Sequence, residues 1–257
     1  MSVLITFEGG DGSGKSTQAA LLHGRLIHEG YDAVLLQEPG STALGTYLRD
    51  WLKRESDDTE SLAPVSELLL FIAARAQLVS EVIKPALDQP DAVVICDRYI
   101  DSTVAYQGYG RGLDVGMVDG LNAVAIDGTV PDLTFLIDVP PTVALERIDP
   151  QAGPDGAVTN NAIAMRDEQG GMRRFEEEGT AFHEAVYRGY AKLTKEESER
   201  WRVVDGVRPK DEIANEIRAL TTEVLLGIAM EAVDEKPPLD PSATDDEQDD
   251  SSQPSLF

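Results

Sequence analysis

Short apolar runs alternate along the chain with longer segments in which apolar residues recur at helical spacing. Five runs are predicted to be buried β-strands, at residues 3–7, 33–36, 92–96, 133–139 and 201–204. Helical spacing follows the first run, recurs near residues 42–53, and begins again at Pro64, which is favoured in the first turn of a helix. Strands that alternate with helices predict an α/β fold, in which a central parallel sheet is covered by helices on both faces.

Two segments depart from this alternation. Residues 149–171 contain four glycines and two adjacent asparagines with few apolar residues, which predicts a mobile excursion. Residues 231–257 contain nine acidic residues and one lysine, and they cannot bury enough apolar surface to offset the cost of ordering. We therefore expect a domain at residues 1–230 with a lid at about residues 148–172, followed by a disordered acidic tail at residues 231–257.

The first predicted strand ends in a glycine-rich loop that opens a helix. The loop matches the pattern G-x-x-x-x-G-K-[ST] completely. Its glycines let backbone N–H groups curl toward phosphate oxygens, and the following helix adds its dipole. Lys15 can reach the transferring phosphate and Ser16 can bind Mg²⁺. The predicted ATP-binding residues are Gly9, Gly10, Asp11, Gly12, Ser13, Gly14, Lys15, Ser16 and Thr17.

The loop indicates a P-loop NTPase with a three-layer fold, but motors, switches and kinases share it. Further markers follow in order: Glu38-Pro39-Gly40, then residues 71–75, 97–108 and 131–138. Together with the loop, these markers resemble the thymidylate kinase family from Leu4 to about Gly206. The resemblance implies a nucleoside-monophosphate kinase with a lid. It would transfer the γ-phosphate of Mg-ATP to dTMP, giving ADP and dTDP for dTTP synthesis, and would form a homodimer.

Two other functions stay open at this point. A kinase for another nucleoside monophosphate, such as UMP or AMP, would share most of the markers. A P-loop switch that signals through a partner would need no acceptor, and the sequence lacks the guanine-reading Asn-Lys-x-Asp motif. In either kinase the nucleophile is a phosphate oxygen that is already ionised, so no general base is required.

The acceptor-side markers have a chemistry of their own. Asp97 ends an apolar strand, where a carboxylate could support Mg²⁺ through water, and Arg98 offers a planar fork to a phosphate. Phe71 and Arg75 lie four residues apart on one helical face, although periodicity alone favours a core position for Phe71. The resemblance implies that Phe71 stacks on thymine, that Arg75 reads the base edge and that Arg98 holds the acceptor phosphate. It implies a dTMP site made of Asp11, Phe71, Arg75, Arg98, Ser102, Thr103, Tyr106 and Gln107.

Within that site, the resemblance places Asp11 near the deoxyribose 3′-hydroxyl, and Tyr106 could crowd a 2′-hydroxyl. The chain departs from the family at Gln37, where relatives often have an arginine that helps to hold the acceptor phosphate. The loop also lacks an arginine, so positive charge near the moving phosphate must come from the lid. The candidates are Arg147, Arg166, Arg173 and Arg174. The predicted catalytic residues are Lys15, Arg98, Arg147 and Arg174.

Composition limits the partners. The net charge of −25 argues against binding to nucleic acid or anionic membranes. No apolar stretch approaches the roughly 20 residues that span a bilayer, and the first residues lack the basic flank of a signal peptide. One cysteine, Cys96, permits no internal disulfide, so we expect a cytoplasmic protein.

The last five residues, from Gln253 to Phe257, are similar to the Gln-x-x-Leu-Phe peptide that docks replication proteins on the bacterial sliding clamp. In that interpretation Leu256 and Phe257 would enter an apolar pocket. The alternative is a chance ending on a solubilising tail, because short motifs match often by accident.

Overall fold

A computed structural model describes residues 2–53, 62–148, 175 and 178–234. Its centre is a parallel sheet in the order β2-β3-β1-β4-β5. The strands are β1 (Val3–Glu8), β2 (Asp32–Gln37), β3 (Ala92–Asp97), β4 (Leu133–Asp138) and β5 (Trp201–Asp205). The central strand β1 pairs with both β3 and β4, so the loop that follows it lies at the middle of the carboxyl edge of the sheet.

Helices cover both faces of the sheet. They are α1 (Lys15–His28), α2 (Ala43–Lys53), α3 (Pro64–Leu78), α4 (Lys84–Leu87), α5 (Ile100–Thr103), α6 (Val115–Ile126), α7 (Pro141–Ile148), α8 (Thr180–Glu196) and α9 (Lys210–Asp234). Two π-helical segments, Val79–Ile83 and Val104–Gly110, continue α3 and α5. None of the helices within the described ranges is both long and apolar enough to cross a membrane.

The core consists of apolar layers on the two faces of the sheet. Val3, Ile5 and Phe7 pack with residues of α1 and α9, whereas Leu4 packs on the opposite face with Leu78 of α3. This alternation follows from the two-residue period of a strand. Burial of one such side chain is worth about 1.5–3 kcal/mol, so both layers hold the strand ends rigidly. The predicted α/β P-loop fold is confirmed.

The predicted strands agree with the observed ones to within one residue at each end. The sequence pattern does not locate the helices from α5 onward individually. Between residues 100 and 126 the reason is that glycine and mixed polarity weaken the helical periodicity. The last helix ends at Asp234, four residues beyond the predicted domain end at residue 230. The predicted lid excursion at residues 149–171 and residues 235–257 of the tail lie outside the described residues.

Candidate active site

The phosphate loop needs glycine at two positions where it touches other elements. Gly9 has a φ of 143°, and a Cβ there would lie 2.8 Å from the carbonyl oxygen of Ile137. Gly12 has a φ of 79°, and a Cβ there would lie 2.4 Å from the carbonyl oxygen of Ala144 in α7. Both angles lie in the left-handed region that L side chains avoid. The sheet and α7 therefore fix the path of the loop.

The residues that close the loop form the first turn of α1. Lys15 is buried, and its Nζ donates to the carbonyl oxygen of Gly10 at 3.2 Å. Burial and the nearby Arg98 guanidinium lower the pKa of Lys15 to about 8. Ser16 and Thr17 are exposed in the same turn, where a bound nucleotide can reach them.

Asp97 ends β3 opposite Phe7 of β1 and is buried. Its Oδ1 has no hydrogen-bond partner in the part of the chain that the structure describes. The Ser16 hydroxyl and this carboxylate oxygen fit a Mg²⁺ ion that keeps several waters and takes its other ligands from phosphates. Nowhere in residues 2–53, 62–148, 175 and 178–234 do three His, Cys, Asp or Glu side chains group as a closed metal site.

Arg98 links the loop to the acceptor side. Its NH1 donates to the carbonyl oxygen of Gly9 at 3.2 Å and to the Ser102 hydroxyl at 3.1 Å. Its NH2 donates to Asp11 Oδ1 at 2.6 Å and to the Tyr106 hydroxyl at 3.0 Å. The guanidinium carbon also lies 4.8 Å from the centre of the Tyr106 ring. The predicted phosphate-binding arginine is therefore held by four groups.

Asp11 is the anionic centre of this cluster. Tyr106 donates its hydroxyl proton to Oδ2 at 2.7 Å, while Arg98 occupies Oδ1. Burial raises the pKa of Asp11, but the charges of Arg98 and Lys15 outweigh it, so the pKa lies well below its usual range. His183 of α8 acts in the same direction and so lies near this carboxylate. Asp11 is ionised at neutral pH.

Beneath Arg98 lies a fully buried carboxylate, Glu8. It accepts from the Tyr99 backbone N–H at 2.8 Å, from the Ser102 hydroxyl at 2.5 Å and from the Tyr190 hydroxyl at 3.0 Å. Burial, assisted by the neighbouring Asp101, raises the pKa of Glu8 to about 7. Ser102 thus connects this carboxylate to the guanidinium of the acceptor arginine.

A pocket opens beside Arg98. Seven of the eight predicted dTMP residues line it, and the eighth, Asp11, contacts two of them. The lining residues are Glu38, Phe71, Arg75, Arg98, Ser102, Thr103, Tyr106, Gln107 and Phe175. Phe175 packs against Phe71 and Tyr106 with ring centres 6.0 Å and 5.1 Å apart, so the pocket has an aromatic wall.

Arg75 is buried at the end of this pocket and is held rigidly. Its Nε and NH2 donate to Glu38 Oε2 at 3.0 Å and 2.9 Å, and its NH1 donates to Asn122 Oδ1 at 2.5 Å. Its NH2 also donates to the Thr103 hydroxyl at 2.8 Å. Desolvation raises the pKa of Glu38, although Arg75 opposes it. The Arg75 guanidinium is therefore held in one orientation by the protein itself.

Several site residues were not found from the sequence. Glu38 belongs to the marker Glu38-Pro39-Gly40, but only the structure shows its ion pair with Arg75. Arg49 of α2 donates to the carbonyl oxygen of Pro39 at 2.9 Å and interacts with Asp97 and Arg98. No sequence signal other than its helical position could have identified it.

Of the four predicted lid arginines, only Arg147 is among the residues that the structure describes. Arg147, near the end of α7, donates to the carbonyl oxygens of Ser13 at 3.4 Å and Gly206 at 2.9 Å. It therefore bridges the phosphate loop and the turn after β5. Arg166, Arg173 and Arg174 lie outside the described residues.

Known proteins are similar to this chain in both sequence and fold. The thymidylate kinase family pattern matches residues 7–217. The thymidylate kinase of Thermomicrobium roseum is 43% identical over 225 residues, which cover 88% of this chain and 97% of that protein. The thymidylate kinase of Desulfovibrio desulfuricans is 44% identical over 217 residues, which cover 84% and 94%.

A crystal structure of thymidylate kinase from Ehrlichia chaffeensis matches with a TM-score of 0.64 and 34% identity. It covers 86% of this chain and 98% of that one. Because the family pattern, the full-length relatives and the fold agree, the chain belongs to the thymidylate kinase family.

Proposed function

We propose that the site described above carries out the reaction of this family, the transfer of the γ-phosphate of ATP to dTMP, giving ADP and dTDP. The observation that carries the proposal is the shared position of Arg98. Its guanidinium donates to Gly9 and Asp11 of the phosphate loop and also lines the pocket beside it. In this proposal Arg98 would bring the donor and acceptor phosphates together, which a nucleotide switch does not need.

In this proposal the residues act by alignment and charge neutralisation. Lys15 and the loop N–H groups bind the donor phosphates, and Arg98 holds the dTMP phosphate. Mg²⁺, held by Ser16 and through water by Asp97, would neutralise charge on the donor phosphates. Arg174 and Arg147 remain the proposed lid cations, and closure of the lid would keep water from the γ-phosphate.

Arg49 offers a second cation for the acceptor phosphate. Gln37 stands where relatives often have the arginine that helps to hold this phosphate. Arg49 reaches the same region from α2, through the carbonyl oxygen of Pro39 and the charges of Asp97 and Arg98. We expect Arg49→Ala to raise the KM for dTMP, whereas an unchanged KM would contradict this assignment.

The test of the proposed function is ADP formation with dTMP, dUMP, UMP, AMP and GMP as acceptors. We expect the highest kcat/KM with dTMP, and a weaker reaction with UMP because in this proposal Tyr106 crowds a 2′-hydroxyl. Preference for another monophosphate would favour the alternative kinase. ATP hydrolysis without dependence on any acceptor would favour a switch.

We also propose that two copies of the chain form a homodimer through α3 and α6, which pack against each other. Val65 and Leu69 lie four residues apart on α3 and are 45% and 49% exposed. Val124 on α6 is 78% exposed. Leu69→Glu should shift the mass measured by light scattering from dimer to monomer. Leu226→Glu on α9 is the matched control and should leave the mass unchanged.

Two further proposals concern residues and conditions outside the described site. We place the enzyme in the cytoplasm, where its single buried cysteine stays reduced.

We further propose that Gln253–Phe257 docks on the sliding clamp of the same organism. A labelled peptide of residues 245–257 should bind that clamp saturably and lose binding when Leu256 and Phe257 become Ala. Absence of binding would favour a tail that only solubilises the protein.

A further inference from the structure

A third buried glutamate, Glu67, lies behind the pocket, after Glu8 and Glu38. It is fully buried on α3, four residues before Phe71 and eight before Arg75, so all three lie along one face of the helix. Gln107, which lines the pocket, donates its Nε2 to Glu67 Oε1 at 2.9 Å. Two polar side chains that line the pocket, Arg75 and Gln107, are thus each held by a buried glutamate.

Arg111 keeps Glu67 in place as an ion pair. Its Nε donates to Oε1 at 3.1 Å and its NH2 donates to Oε2 at 3.2 Å. The NH1 of Arg111 donates to Glu178, and its guanidinium lies 5.5 Å from the centre of the Phe175 ring. Two hydrogen bonds from one guanidinium fix the orientation of this buried carboxylate.

The hydrogen bond to Glu67 decides which end of the Gln107 amide faces the pocket. A carboxylate only accepts hydrogen bonds, so it binds the amide nitrogen and never the amide oxygen. Rotation of the Gln107 amide by 180° would set its Oε1 against Glu67 Oε1, which leaves two acceptors in contact. We propose that Glu67 is a positioning residue for base selection, which locks Gln107 so that its Oε1 accepts from the N3–H of thymine.

This inference rests on the proposed function and explains the choice of base. Thymine presents an acceptor at O4 and a donor at N3. Arg75 is a donor-only group and Gln107 Oε1 is an acceptor, so the two together match that pattern. Cytosine presents a donor at N4 and an acceptor at N3, which inverts both contacts. A polar site of this kind rejects the mismatched base because its buried groups are left unpaired.

The test compares Glu67→Gln with Glu178→Gln in kinetics with dTMP and dCMP. Both variants remove one carboxylate partner of Arg111, but only the first touches Gln107. Glu67→Gln lets the amide rotate, so we expect the KM for dTMP to rise and the preference for dTMP over dCMP to fall, each by about tenfold. We expect an unchanged kcat. Some preference for dTMP over dCMP should remain, because Arg75 and the N4 amino group of cytosine are both hydrogen-bond donors. Glu178→Gln should lower the unfolding temperature alone.

A second comparison asks whether Glu67 acts through Gln107. In a Gln107→Leu background, Glu67→Gln should change neither the KM nor the preference further. Additive effects, or an unchanged preference in the single variant, would overturn the proposal and leave Glu67 with a structural role. Normal turnover of dTMP by the unaltered enzyme in the same experiment keeps the proposed function separate from this outcome.

Nuclear magnetic resonance on the unaltered enzyme decides the same point if Glu67→Gln does not fold. With dTMP labelled with ¹⁵N at N3, an acceptor at Gln107 should give a slowly exchanging imino proton in the complex. A rapidly exchanging imino proton in a saturated complex would show that no acceptor faces N3, and the proposal would fall.

Discussion

Replacement of Arg98 by alanine tests the link between the two halves of the site. Arginine and alanine both carry a Cβ, so the backbone at residue 98, which has a left-handed φ of 69°, is equally strained before and after the substitution. The variant removes four donated hydrogen bonds, to Gly9, Ser102, Asp11 and Tyr106. It also removes the main positive charge that offsets the burial of Asp11. The Asp11 pKa should therefore rise.

The size of the kinetic effect follows from the contacts that the acceptor phosphate would lose. A hydrogen bond to a charged group is worth about 1.5–3 kcal/mol, and a guanidinium fork supplies two. A loss of about 3–6 kcal/mol corresponds to a fall in kcat/KM for dTMP of about 10²–10⁴-fold, since about 1.4 kcal/mol is tenfold. Arg98→Lys keeps the charge without the fork and should lie between alanine and arginine.

The assay measures initial rates of ADP formation at saturating ATP with varied dTMP. ATP affinity is measured separately by calorimetry with a non-hydrolysable analogue, and we expect it to stay nearly constant because Lys15 and the loop N–H groups that bind the donor phosphates are unchanged. Arg218→Ala, which breaks an ion pair with Glu29 on the surface, is the control and should match the unaltered enzyme. A normal kcat/KM for dTMP, or a loss of ATP affinity alone, would refute the assignment.

Three other changes have defined outcomes. Lys15→Ala should abolish phosphoryl transfer with an unchanged unfolding temperature, and full activity would contradict the mechanism. Folding raises the pKa of Glu8 from 4.5 to about 7. The protonated carboxyl therefore contributes its full stability to the folded protein below pH 4.5, and this contribution is lost as the pH rises to about 7. Glu8→Gln should therefore show a less negative slope of unfolding free energy against pH in that window, and identical slopes would contradict this. Gly12→Ala should lose ATP binding, measured by calorimetry, because its Cβ would meet Ala144.

Local chemistry in the sequence was sufficient to predict the sheet and the phosphate loop. Alternating apolar runs and helices specify a parallel sheet, and a complete G-x-x-x-x-G-K-[ST] pattern between a strand and a helix specifies where the phosphates bind. These features depend on neighbouring residues, so one sequence suffices to find them. The prediction that these residues bind thymine came from the resemblance, because periodicity alone favoured a core position for Phe71.

Only the tertiary structure decided how the acceptor side is held. Arg98 meets Asp11 across 87 positions of the chain, and Gln107 meets Glu67 across 40, so no local pattern contains these pairs. Arg49 reaches the site because α2 packs on α3 and Arg49 contacts the carbonyl oxygen of Pro39. Burial then gives each of these contacts its strength, since a charge removed from water must find a partner in the fold. The sequence determined which groups exist, and folding determined which of them face one another.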